Sequence, residues 1–133
     1  METSSPEVAT ARAFFDRFST AFATFDGHLV ADLFATPGVA LRRDGSIVPL
    51  TSRDDVVRYY QNALDRYRRD GCRAARWSEL AAMPMGRRSI LATVAWDLLS
   101  GDGRTALRWR QSYSLTLLDP DNPKIFASAT HAE

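Results

Sequence analysis

From Val8 onward, apolar residues recur at helical spacing, at Val8, Ala11, Phe14, Phe15, Phe18, Phe22 and Phe25. One face of a first helix therefore carries a phenylalanine stripe, the pattern of core packing rather than of an aromatic cofactor box. Ser4, followed by Pro6 and Glu7, supplies a capping serine, an early-turn proline and a capping-box acid for its start. Asp26-Gly27 breaks the run, and Leu29, Val30, Leu33 and Phe34 predict a short second helix that Pro37-Gly38 ends. From Val39 the period changes to two, and Asp44-Gly45 sits between two short strand-like runs as the turn of a tight hairpin. Ser52 with Asp55 caps a third helix whose apolar side runs through Val56, Val57, Tyr60, Leu64 and Tyr67 to a stop at Gly71. Arg53, Arg58, Arg66, Arg68 and Arg69 fall mostly elsewhere on that helix, on a solvated face. Residues 72–83, 88–99, 105–118 and 124–131 read as strands separated by Gly-, Pro- and Asp-containing turns. The order predicts one α+β domain over residues 1–133, with its core within about 8–131: three helices of the N-terminal half packed on one face of a curved antiparallel sheet with a short hairpin.

A two-residue turn at Asp102-Gly103 fixes the pairing of the two strands around it. Leu98 with Leu107, Trp96 with Trp109, Val94 with Gln111, Ala92 with Tyr113 and Ile90 with Leu115 then share one face, and Asp97 with Arg108 lies on the other. Sliding by one would bury Arg108 and Arg110 and expose Trp109. The same rule at Met85-Gly86 turns Trp77 and Glu79 inward, with Glu79, Ala92 and Tyr113 in one row and Trp77, Val94 and Gln111 in the next. Three tryptophans, a Glu, a Gln and a Tyr on the helix-facing side describe an apolar pocket with polar ends. The outer face mixes arginines with small and apolar residues, Leu80, Ala82, Ala95 and Leu91 among them, and is expected to pair with a second copy as a homodimer.

Composition narrows the function classes. Seventeen Lys+Arg against 16 Asp+Glu leave a net charge of +1, which argues against a nucleic-acid binder running on bulk electrostatics. All the basic residues but Lys124 are arginine, the mark of a GC-rich bacterial genome. One cysteine, Cys72, forms no intrachain disulfide, and a reducing cytoplasm is the expected compartment, with no signal-peptide-like start and no apolar run long enough to span a membrane. Two histidines and scattered acids show no metal-ligand spacing, so neither a metal nor a cofactor is expected. Glycine-rich phosphate loops and nucleophile elbows are missing as well.

The helix carrying FFDRFSTAF, the segment LVADLFA, the hairpin VALRRDGSIVPL, the helix SRDDVVRYYQNALDRYRRDG and the strands ending RWRQSYSLTLLD and KIFASATH together resemble the NTF2-like superfamily. That group of cystatin-like cones includes ketosteroid isomerases, scytalone dehydratases and SnoaL-like polyketide cyclases. The resemblance covers about Val8 to His131, and it implies a cone whose mouth holds a small molecule and whose sheet often forms dimers. It does not carry an activity over. The steroid isomerases use a carboxylate base with a Tyr-plus-acid oxyanion site; here phenylalanines stand where such a Tyr would sit, and Asp97 points outward. For a cyclase-type arrangement, His28 and Asp32 have nothing to fix them on the cavity side.

The candidate catalytic residues are Glu79, as an inward general base, and Tyr113, as a hydrogen-bond donor to a substrate oxygen. Trp77, Trp96, Trp109, Gln111 and His131 are the candidate ligand contacts. His131 meets Gln111 inside the cone if Leu117 faces Ile125, and lies outside with a slip of one. The leading expectation is a protein that binds a small, mostly apolar or amphipathic ligand. An isomerase, dehydratase or cyclase using Glu79 is one alternative, and a non-catalytic dimerisation module with a filled core is another.

Overall fold

The computed structural model describes residues 5–133. Helix α1 (Pro6–Phe22) starts where the Ser5 side chain accepts the Val8 amide hydrogen at 3.1 Å. The cap is thus Ser5, and Ser4 lies outside the described residues. The phenylalanine stripe is buried, with Phe14 and Phe15 wholly enclosed, and each such ring contributes roughly 1.5–3 kcal/mol of burial. Helix α2 (Gly27–Ala31) is shorter than its apolar pattern suggests, and Phe34 opens strand β1 (Phe34–Leu41) instead of continuing it. The reason is tertiary: the Leu33 carbonyl accepts the Ile125 amide at 2.9 Å, which draws the chain into the sheet. Pro37 follows a cis peptide inside β1. A Cβ on Gly38 would stand 2.9 Å from the Phe126 carbonyl oxygen, so only glycine allows these two backbones to approach so closely.

Strand β2 (Ile47–Leu50) returns antiparallel to β1, and α3 (Arg53–Arg69) follows, capped by Ser52 accepting from the Asp55 amide. Strands β3 (Cys72–Pro84), β4 (Ser89–Ser100), β5 (Thr105–Thr116) and β6 (Lys124–Thr130) complete a six-stranded sheet in the order β2-β1-β6-β5-β4-β3. It is antiparallel except where β1 meets β6. The main core lies between α1 and the inner face, and a smaller one joins Ala31, Ala40, Leu50 and Val56 between the hairpin, α2 and α3. Among the described residues no helix is long and apolar enough to cross a membrane.

The β4–β5 register holds from Leu98↔Leu107 to Ile90↔Leu115, with Trp96↔Trp109 on the inner face and Asp97↔Arg108 on the outer. Only the turn differs, where Leu99 rather than Ser100 opposes Thr105. Between Ala74 and the turn, the β3–β4 pairing departs from the expectation twice. Its turn is longer than Met85-Gly86 alone, so Ala82 opposes Ala92 and faces inward. A bulge between Ser78 and Ala81 then inserts one extra residue into β3. The two shifts of parity cancel at Trp77 and Ala75, which oppose Trp96 and Leu98 on the inner face. They do not cancel at the bulge, where Glu79 adopts φ +54° and Leu80 packs onto the core rather than lying on the outer face.

Candidate functional site

Between α3 and the inner face of the sheet lies a cavity of about 490 Å³. Four of the residues singled out from the sequence line it: Trp96, Trp109, Gln111 and Tyr113. Alternation along β4 and β5 aims all four inward, and the Phe stripe of α1 backs them. Phe15 lies 5.2 Å from Tyr113, and Phe18 lies 5.3 Å from Trp96, ring centre to ring centre. On the other side Trp109 stacks on Tyr67 at 6.1 Å, and Tyr67 on Phe22 at 6.0 Å, so three parallel-leaning rings make one wall.

The two indoles decide the polarity of this cavity. Trp96 Nε1 donates to Tyr113 Oη at 2.8 Å, and Trp109 Nε1 donates to Gln111 Oε1 at 2.7 Å. An indole nitrogen only donates, so each polar partner must present an oxygen lone pair to it. The hydrogen of Tyr113 and the amide hydrogens of Gln111 are then left for another acceptor. Burial pushes the Tyr113 phenol well above its usual ionisation range, with Tyr60 adding to the rise and the Trp96 hydrogen bond opposing it. Tyr60 is raised by burial too, against a contribution from the Ser128 hydroxyl. Both phenols are therefore neutral donors at physiological pH.

The remaining candidates stand elsewhere. Glu79 is more than half exposed on the outer face, where its Oε2 accepts from Arg108 Nη2 at 2.7 Å. Arg108 also donates to the buried Asp97 at 2.8 Å. The bulge is the physical reason: one inserted residue re-aims the side chain, and an outer-face guanidinium holds it. Trp77 faces inward but does not line the cavity; its Nε1 donates to Asp16 of α1 at 2.9 Å and pins that helix to β3. His131 takes the outer of its two registers, because Ser128 and Thr130 oppose Tyr113 and Gln111 on the inner row. Its ring nitrogen lies 2.8 Å from Ser112 Oγ, which in turn is 2.7 Å from Thr93. His28 is exposed, and Asp32 is ion-paired with Arg53 at 2.7 Å.

Residues that the sequence reading did not place at the site complete the cavity. Tyr59, Tyr60, Asn62 and Tyr67 of α3 form its roof, and Arg42, Arg43 and Arg66 stand at its exposed edge. The signal for the roof was present in the phenols at Tyr60 and Tyr67, seven residues apart on the apolar stripe of α3. Nothing in the linear pattern set Arg66 apart from its neighbours. No carboxylate or imidazole lines the cavity among the described residues, and no group of three or more His, Cys, Asp or Glu gathers to hold a metal.

No curated protein is similar enough to this chain to count as a relative. Solved structures share its fold at low identity. Aln2 from a Streptomyces species superposes with a TM-score of 0.77 at 13% identity, over 98% of this chain and 94% of its own. A protein of unknown function with a cystatin-like fold from Nostoc punctiforme gives 0.77 at 13% identity, over 100% and 96%. An NTF2-like protein with a cystatin-like fold from Novosphingobium aromaticivorans gives 0.72 at 11% identity, over 94% and 80%. The profile described as NTF2-like protein (DUF6841) matches residues 6–133, and the chain with this helix-covered curved sheet belongs to that NTF2-like family.

Proposed function

We propose that this protein binds a small, mostly apolar ligand in the cavity between α3 and the sheet. One observation carries the reading: a cavity of about 490 Å³ with an aromatic wall of Trp96, Trp109, Tyr67 and Phe18, and with arginine, amide and hydroxyl side chains making up much of the rest of its lining. That size and lining suit a compact organic molecule of a few rings. The Glu79-based isomerase or cyclase reading loses its base, since Glu79 faces solvent beside Arg108. An association module with a filled core is disfavoured by the cavity itself.

Native mass spectrometry of the purified full chain, compared with its denatured mass, tests this reading together with a fluorescence titration. A co-purifying molecule at one per chain, lost in Trp109→Ala, is the expected result. Ligand entry should also quench Trp96 and Trp109. A chain that carries nothing and shows no tryptophan response to aromatic acids or their amides would overturn the reading.

A further inference from the structure

The three arginines of the cavity come from two different elements: Arg42 and Arg43 follow β1 at the hairpin turn, and Arg66 belongs to α3. Among the described residues none of the three has a carboxylate within ion-pairing distance, which they share with other surface arginines, but they are the arginines that line the cavity. The acids nearest to them in sequence make their hydrogen bonds to other groups, although Arg42 still acts on Asp44 through charge. Asp44 turns back to accept from the backbone and side chain of Ser46, and Asp65 accepts from the Gln61 amide. Arg66 lies over the Tyr67 ring at 5.4 Å, and so over a residue that walls the cavity. Arg42 and Arg66 also converge on one phenol. Burial raises the Tyr59 ionisation, and both cations act against that rise. In a chain of net charge +1 this is a local concentration of positive charge at one opening.

The interior has the same polarity. Trp96 and Trp109 each donate to one lone pair of Tyr113 Oη and Gln111 Oε1, which turns the phenol hydrogen and the amide hydrogens away from the indoles. Inner groups and edge groups alike thus offer donors, beside Asn62, Ser128 and Thr130 that can donate or accept, in a cavity whose lining holds no carboxylate among the described residues.

We propose that the ligand is an organic anion: a flat, mostly apolar acid whose carboxylate sits among Arg42, Arg43 and Arg66, and whose inner end carries an oxygen that accepts from Tyr113 and Gln111. This rests on the cavity being a binding site, as argued above. Guanidinium forks match a carboxylate in geometry and charge. The aromatic walls match a planar hydrocarbon skeleton. A neutral hydrocarbon would leave the inner donors without acceptors, and a cation would meet like charge at the opening.

The test is a panel of paired acids and primary amides, from benzoate to 2-naphthoate and 6-acetyl-2-naphthoate, titrated by tryptophan fluorescence and calorimetry. Acids should bind at least about tenfold more tightly than their amides at low ionic strength, and the preference should shrink as salt is added. Arg42→Ala/Arg43→Ala/Arg66→Ala should bring acids to the level of the amides, with the acids losing far more affinity than the amides and the thermal midpoint little changed. The three side chains are exposed, so the fold does not depend on them. Tyr113→Phe should weaken 6-acetyl-2-naphthoate more than 2-naphthoate. Equal binding of acids and amides would overturn the anion proposal and leave the binding reading intact. A preference that survives the triple substitution would overturn its assignment to these arginines, and an equal loss of both naphthoates in Tyr113→Phe would overturn the inner contact. Binding of no panel member at about 1 mM would overturn the binding reading as well.

Discussion

Tyr113→Phe removes one oxygen and changes the packing little, yet the structure gives that oxygen a specific duty. It accepts the Trp96 indole hydrogen at 2.8 Å, and Trp96 is only 2% exposed. Without it a buried donor loses its partner, a cost of about 1–3 kcal/mol, against about 1 kcal/mol for an ordinary hydrogen bond with its water exchange counted. For a domain of this length that lowers the midpoint of thermal unfolding by roughly 4 °C per kcal/mol. Trp96→Phe removes the donor and leaves the Tyr113 oxygen without it. The double variant carries neither polar group, so its loss should fall short of the sum of the single losses by about 1–2 kcal/mol. Urea unfolding of all four proteins, followed by circular dichroism, measures each free energy. Additive losses, or a Tyr113→Phe change below about 0.5 kcal/mol, would refute the claim that this bond holds the inner wall.

Three further outcomes separate the faces of the sheet. Glu79→Gln should change stability by less than about 0.5 kcal/mol, because its ion pair is exposed, whereas Arg108→Ala should cost measurably more by depriving the buried Asp97 of its near partner and leaving it only Arg76 at 3.8 Å; equal losses in urea unfolding would contradict this. Tyr60 and Tyr113 hold their protons more tightly folded than unfolded, so the stability they contribute is complete below the usual tyrosine value of 10.0 and falls as pH rises through it. Absorbance titration should show these two phenols ionising only with unfolding, and four phenols titrating in the native state would contradict it. If two copies pair through the outer face, Arg110→Glu should shift the sedimenting species from dimer to monomer without changing the monomer's circular dichroism, and an unchanged mass would refute that pairing.

The β4–β5 pairing was legible because charge and bulk sort together: Trp109 and Arg108 cannot exchange faces without burying a guanidinium, so only one register satisfies the hydrophobic term. The same rule misplaced Glu79, whose bulge places a glutamate at φ +54°. Glutamate carries no preference for that region, so the sequence holds no mark of the inserted residue. Helix α2 fell short for another reason, since a strand near the far end of the chain captures Leu33 and Phe34. Gly27 read as a helix breaker, but it also provides clearance: a Cβ there would stand 2.9 Å from the Val57 carbonyl of α3, and its amide hydrogen goes to Gln61 at 2.6 Å. Close approaches between elements leave no local pattern. For that reason Trp96, Trp109, Gln111 and Tyr113 could be read from alternation, while the arginines at the edge of the cavity could not.

The size of the cavity constrains what fills it. It has room for many water molecules at about 490 Å³, opens to solvent beside the exposed Arg42, Arg43 and Arg66, and is lined by polar as well as aromatic side chains. The space therefore has to hold solvent or ligand, and the polar residues along it, Asn62, Gln111, Ser128 and Thr130, give water partners there. Water against the faces of Trp109, Tyr67 and Phe18 is poorly satisfied, so a planar guest gains by displacing it, while its charged end keeps solvent contact beside Arg42, Arg43 and Arg66. The wall that makes the site open to a guest is thus also the wall whose indole hydrogen bonds keep it standing when no guest is bound, and for that reason stability and binding should respond together at Tyr113 but separately at the arginines.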